Sequence, residues 1–185
     1  MVKMENNKNL SDDEKHYIKK LKESEDRYKM LFDCSNDVLV QIDKKGNIVD
    51  VNKKALEIGG YKRKELVGKK ISALADIFTK TSLAKMVANF AKRMLGKEVT
   101  PYEVEGKNKQ GDKIFFEISA ATLTNGDKKK VGEMAILHDI TKRKVMEEKL
   151  KEKIKELEVI NKAMVGRELK MIDMKNEILK LKKRE

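Results

Sequence analysis

Few residues of this chain combine reactive side chains with a spacing that would let them act together. Cys34 is the only cysteine, and His16 and His138 are the only histidines. A metal centre draws its ligands from clustered His, Cys and carboxylate residues. These two histidines stand far apart without such partners, so no metal site is expected. A single cysteine excludes an intramolecular disulfide and suits a reducing compartment, and Cys34 reads as packing or near-surface filler. His138 matters for its position. It opens the run His138-Asp139-Ile140-Thr141, where a short apolar strand stops and a long charged helix begins. A strand joined directly to a helix can pass a displacement from one to the other.

The strand before this junction, Val131 to Leu137, is apolar on both faces and reads as buried. Thr141 has the hydroxyl needed to cap the helix that follows. Lys142, Arg143 and Lys144 in its first turn oppose the helix dipole, at a cost of a few tenths of a kcal/mol each unless acids lie nearby. Those acids are expected on the preceding domain. No Pro and only Gly166 interrupt the run to Glu185, which allows a helix of about 60 Å at 1.5 Å per residue.

The chain has 185 residues, 39% hydrophobic and 5% aromatic, enough for one core of ordinary size plus an extension. Its net charge of +12 raises the question of nucleic acid. The distribution argues against it. Residues 141–185 carry 15 basic and 9 acidic side chains and the remainder 28 and 22, an equal surplus in each part. No stretch approaches the roughly 18 apolar residues of a membrane span, and the N-terminus lacks the apolar segment of a secretion signal. A soluble, cytoplasmic protein is expected.

Three parts follow from the pattern: residues 1–23, a polar segment and flanking helix; residues 24–140, the folded domain; and residues 141–185, the terminal helix. Ser11-Asp12-Asp13-Glu14 forms a capping sequence for a helix to about Cys34. Its stripe of Tyr17, Ile18, Leu21, Tyr28, Leu31 and Phe32 must lie on something, either the sheet or the same helix of a second chain. Strands at 38–42 and 48–51 flank Asp43-Lys44-Lys45-Gly46-Asn47, a hairpin turn. Short helices are expected after Asn52 and around Arg63 to Val67, and a longer one from about Ser82 to Leu95. Three more strands are expected at Thr100 to Lys107, Lys113 to Leu123 and Val131 to His138. Two strands, several helices, then three strands make a mixed α/β (α+β) fold: a five-stranded antiparallel sheet with helices on one face. A cavity between sheet and helices follows from that arrangement.

Several short motifs in order carry a family resemblance. Phe32-x-x-Ser35-Asn36-Asp37, Ile42-Asp43-x-x-Gly46-x-Ile48, Gly60-Tyr61-x-x-x-Glu65-Leu66-Val67-Gly68-Lys69, Gly111-Asp112 and Asp139-Ile140-Thr141 together resemble the PAS sensory domain over residues 24 to 143. The resemblance implies a fold that binds a small ligand, a cofactor or a partner protein and relays its state through flanking helices. It also implies that Asp139, Ile140 and Thr141 couple the domain to its output.

Alternation along the strands, aligned to the family pattern, points Val40, Ile42, Phe116, Ile118, Ala120, Ala135 and Leu137 toward the helices, where Leu83, Met86, Val87 and Phe90 meet them. These residues either line a ligand pocket or fill a core. The cofactor is unknown. Relatives holding haem usually place a histidine on the long helix, and residues 79–95 contain none. The flavin photosensors of the family need a reactive cysteine after the first short helices, where this chain has Tyr61-Lys62-Arg63-Lys64 and Ile71-Ser72-Ala73-Leu74. Haem and covalent flavin are therefore not expected.

Many proteins resembling this one are histidine kinases. The helix after Thr141 has no phosphoacceptor histidine and no ATP-binding domain follows in these residues, so no enzyme activity is expected. The helix offers a partner surface instead. Leu150, Leu157, Met164, Met171 and Ile178 recur every seven residues, with Ile154, Ile160, Met174 and Leu181 as a second column whose register shifts after Leu157. This is the signature of a coiled-coil seam, expected as a parallel dimer, with Gly166 as a soft point in it; the alternative is a solvated helix with one face lying on its own domain. The expected function is a sensory module that relays ligand or partner binding through a homodimeric coiled coil to a separate kinase, response regulator or transcription factor. The alternatives are a ligand-free dimerisation scaffold, a transcription regulator, or the sensor part of a histidine kinase.

Overall fold

The computed structural model describes residues 11–182, with side chains described as far as residue 175. Helix α1, Asp12–Asp33, starts at a reciprocal capping box: the Ser11 hydroxyl accepts from the Glu14 N–H, and the Glu14 carboxylate accepts from the Ser11 N–H. Strands β1 (Val38–Asp43) and β2 (Ile48–Val51) form the expected hairpin. Gly46 takes the positive φ of 83° that the turn requires. Asp43 holds the turn closed. Its carboxylate accepts from the backbone N–H of Lys45 and Asn47 and from the Asn47 amide, at 2.8, 2.9 and 2.8 Å.

These bonds, those from Asn47 foremost, lower the Asp43 pKa below the usual carboxylate value. A lowered folded-state pKa gives stability that is present above about pH 4 and lost as pH falls through the folded value. Asp43→Ala is accordingly expected to destabilise the protein by about 1–2 kcal/mol at neutral pH. The deficit relative to wild type should shrink on acidification in paired urea titrations. A deficit independent of pH would contradict this account of the turn.

Asn52 is fully buried and acts as a hub. Its side-chain oxygen accepts from Ala55 N–H, capping helix α2 (Lys53–Gly59), and from Leu39 N–H, while its amide donates to the Asp37 carbonyl. Gly60, in the left-handed region, ends α2. Helix α3 (Arg63–Leu66) is tied to the hairpin by Arg63, whose guanidinium lies 2.6 Å from Asp50 and 3.7 Å from Asp33 of α1. A single 3-10 turn at Ile71–Ala73, which the sequence pattern did not suggest, leads to helix α4 (Lys80–Met94), capped by Thr79.

Strands β3 (Tyr102–Lys107), β4 (Lys113–Thr124) and β5 (Lys130–Asp139) complete a five-stranded antiparallel sheet in the order β2-β1-β5-β4-β3. The last strand thus sits at the centre beside the first. Alternate residues, among them Ile42, Phe116, Ile118, Ala135 and Leu137, are buried beneath α2 to α4. The expectation that β5 is buried on both faces is corrected here. Central position removes its edges from solvent but not its outer face, and Val131 and Ile136 remain exposed. On α1 only Phe32 is buried; Tyr28 stacks on it at 5.6 Å, and Tyr17, Ile18, Leu21 and Leu31 are exposed.

The chain divides into two compact units between Ile140 and Thr141. The second unit is helix α5, Thr141–Lys182, continuous through Gly166. Within it Glu147 lies 3.7 Å from Arg143 and 3.6 Å from Lys144, an acid one turn on that offsets the basic first turn. Among the described residues no helix is long and apolar enough to cross a membrane.

Candidate functional site

Between the inner face of the sheet and helices α2 to α4 lies a cavity of about 100 Å³. Strand alternation supplies its floor, and Val40, Ile42, Phe116, Ile118, Ala135 and Leu137 all face it. Met86 reaches it from α4. The other candidate positions lie elsewhere. Leu83 and Ala120 pack against the core without lining the cavity. Val87 and Phe90 line a separate surface groove with Gly46 and Met94, because α4 turns that face toward the β1–β2 loop. Ala120 is in register with Ala135, so two small side chains do sit side by side on the sheet.

Two residues that sequence reasoning passed over supply the cavity's charge. Arg93, near the end of α4, and Glu133 of β5 both line it, with only 6% and 2% of their surfaces exposed. The guanidinium donates from Nε to Glu133 Oε2 at 2.7 Å and from Nη2 to Oε1 at 3.3 Å, a two-pronged ion pair. Burial opposes the charge on Arg93, yet the hydrogen bond and charge of Glu133, with a contribution from Tyr102, raise its pKa above the ordinary value. Burial likewise pushes the Tyr102 phenol upward, while its hydrogen bond with Arg93 draws it partly back. Tyr102 is also on the cavity wall. A signal existed for both charged residues. Arg93 follows Met86 by seven residues, two helical turns, on the cavity side of α4, and Glu133 is the one acid within the apolar run Val131 to Leu137.

Strand β5 holds the end of α4 a second way. Lys130 Nζ donates to the carbonyls of Arg93 and Met94, at 3.2 and 2.9 Å, satisfying the helix C-terminus. At its other end His138 Nδ1 lies 2.7 Å from the Asp37 carboxylate, and buried Ile140 donates its N–H to the Phe115 carbonyl. Asp139 ends β5 in register with Phe116, and Thr141 begins α5. One strand therefore carries cavity-lining residues, the ion pair's acid and the exit toward α5.

Among the described residues no group of three or more His, Cys, Asp or Glu comes together to hold a metal ion. His16 and Cys34 are exposed. On α5, Leu150, Ile154, Leu157, Ile160, Met164, Met171 and Met174 are exposed, and the side chains of Ile178 and Leu181 lie outside the described residues. Exposed Val159, Val165, Leu169 and Ile172 add apolar surface beyond the two columns.

A family model for the PAS domain matches residues 35–142. Among solved structures, the chain is similar to the PAS domain of an HTR-like protein from Haloarcula marismortui, with 22% identity and a TM-score of 0.56 over 68% of this chain and 99% of that one. It is also similar to the PAS domain of a protein from Colwellia psychrerythraea, with 20% identity and a TM-score of 0.53 over 68% and 98% of the two chains. A domain of a sensory box sensor histidine kinase/response regulator from Geobacter sulfurreducens is similar at 24% identity, with a TM-score of 0.50 over 64% and 96%. A search of curated proteins gives no match.

Proposed function

Because the chain belongs to the PAS domain family, we propose that it is a non-catalytic sensory module in which occupancy of the cavity beneath the sheet sets the packing of a dimeric helix pair. The observation that carries this reading is the double role of β5. Glu133, Ala135 and Leu137 line the cavity, and the same strand runs within two residues into α5. A ligand that repositions these side chains acts directly on the strand that leads to the output helix. It can shift the helices only by as much as its affinity differs between their two arrangements, so those arrangements must lie within a few kcal/mol of each other.

The exposed columns of α5 supply the second half of the reading. Seven apolar side chains at heptad-like spacing, all exposed in the single chain, are the seam of a parallel two-stranded coiled coil. The methionines among them tolerate repacking, which suits a seam with two arrangements. The bare stripe of α1 and the exposed Val131 and Ile136 of the outer sheet face extend the same dimer. The recipient of the signal is a separate polypeptide or domain of the kinase, response regulator or transcription factor class.

Native mass spectrometry of freshly purified protein tests both halves at once. The expected spectrum is a dimer with a small-molecule adduct that leaves on activation. A monomer would contradict the helix pairing. A dimer that remains bare apoprotein even in cell extract would favour a scaffold with a filled core.

A further inference from the structure

Resting on that reading, we propose that the cavity selects small, electrically neutral molecules with an apolar body and one hydrogen-bonding group, and rejects carboxylates and ammonium ions of the same length. The charge balance of the lining carries this. Arg93 and Glu133 neutralise each other across a two-pronged contact while almost wholly buried. Tyr102, hydrogen-bonded with Arg93 and with Asn89, is uncharged at neutral pH, since burial raises its phenol above the ordinary value. Facing them are aliphatic and aromatic side chains such as Ile42, Phe116, Ile118 and Leu137. Among the lining residues only Arg93 and Glu133 are charged, and they already pair, so a third charge meets no free counter-ion on the wall. Lys130 is not part of that wall; its ammonium donates to the carbonyls at the end of α4. Burying an uncompensated ion costs far more than burying a hydroxyl that finds a partner.

The size of the space narrows the class further. A cavity of about 150 Å³ lined by apolar side chains accommodates benzene, so one of about 100 Å³ takes roughly four heavy atoms by the same measure, with a four-carbon alcohol at its upper limit. The polar group has a place to go. A guanidinium offers five N–H donors; Glu133 takes two of them and Tyr102 bonds the same group, which leaves at most two for a guest. An alcohol, aldehyde or ketone oxygen directed toward Arg93 therefore gains a hydrogen bond without disturbing the charge balance.

Three four-carbon probes with different head groups test the rule: butan-1-ol, butanoate and butylammonium, titrated near neutral pH into the full chain and followed by methyl-resolved NMR. Saturable shifts of the Ile118, Ala135 and Leu137 methyls are expected with butan-1-ol, with both ions weaker by at least about tenfold. Butanoate or butylammonium binding as tightly as the alcohol would overturn the charge rule while leaving the cavity a ligand site. No saturable shift with any probe would overturn the rule and the sensor reading together. Glu133→Gln provides the converse. With Arg93 left uncompensated, the preference should move toward butanoate by about tenfold or more, and an unchanged preference would overturn the proposal. Should that variant fail to fold, the three-probe comparison on the wild-type chain decides alone.

Discussion

Arg93→Met alone is expected to lower the unfolding free energy by about 3–5 kcal/mol, because it strands the Glu133 carboxylate in an apolar interior. Arg93→Met combined with Glu133→Leu should recover most of that loss. The reason lies in how a buried pair is balanced. Desolvation of both ions nearly cancels their attraction, so the intact pair adds little net stability, whereas a half-pair leaves one charge buried without a partner. The geometry places this pair in that regime, with Nε to Oε2 at 2.7 Å and both side chains almost fully enclosed. Urea denaturation of wild type, both single variants and the double variant closes the cycle. Strictly additive losses would show that the two side chains act independently. A near-neutral double variant would also mean that the pair is not needed for the fold, which leaves it free to set the polarity of the cavity.

Gly132→Ala is expected to be nearly as disruptive, by about 3 kcal/mol or more, at the upper end of what overpacking costs. Gly132 does not have a positive φ, so the reason is space and not backbone freedom. A Cβ there would stand 2.0 Å from the Ile42 carbonyl oxygen and 3.0 Å from its carbon. The obstacle is the backbone of β1 beside the irregularity at Gln41 and Ile42, and it has no rotamer by which to move aside. Relief would require β1 and β5 to separate next to Glu133. Gly126→Ala is the control. No atom lies within 4 Å of its added Cβ, so it should stay within about 0.5 kcal/mol of wild type. Equal losses for the two variants in thermal or urea unfolding would refute this account of Gly132.

Much of the architecture was readable from local signals. Ser11 with Glu14, Asn52, and Gly60 at the end of α2 are caps whose chemistry acts over three or four residues, and the helices begin and end at them; α4 begins two residues before the expected Ser82, because Thr79 caps it. The Asp43 to Asn47 turn is local in the same sense. The site was harder to read because its defining contact is long-range. Arg93 and Glu133 are 40 residues apart, on a helix and a strand of different period, and neither period reveals which charge meets which. Of the residues that strand alternation points to, all but Ala120 form the cavity floor, while of the four α4 positions only Met86 lines the cavity; Leu83, Val87 and Phe90 pack on the core, since a helical stripe is wider than the cavity and its flank faces the β1–β2 loop. The apolar outer face of β5 misled for a related reason. Composition shows that Val131 and Ile136 are apolar, not whether anything covers them.

Distances between spin labels at position Lys155 on the two chains of the proposed dimer test the central claim most directly, measured with the cavity empty and with it saturated by butan-1-ol. Lys155 is exposed on α5, so a label there reports the separation of the paired helices without entering the seam. The account requires two distance distributions, one for each state of the cavity. Superimposable distributions, with binding confirmed at the Ala135 and Leu137 methyls in the same sample, would contradict it.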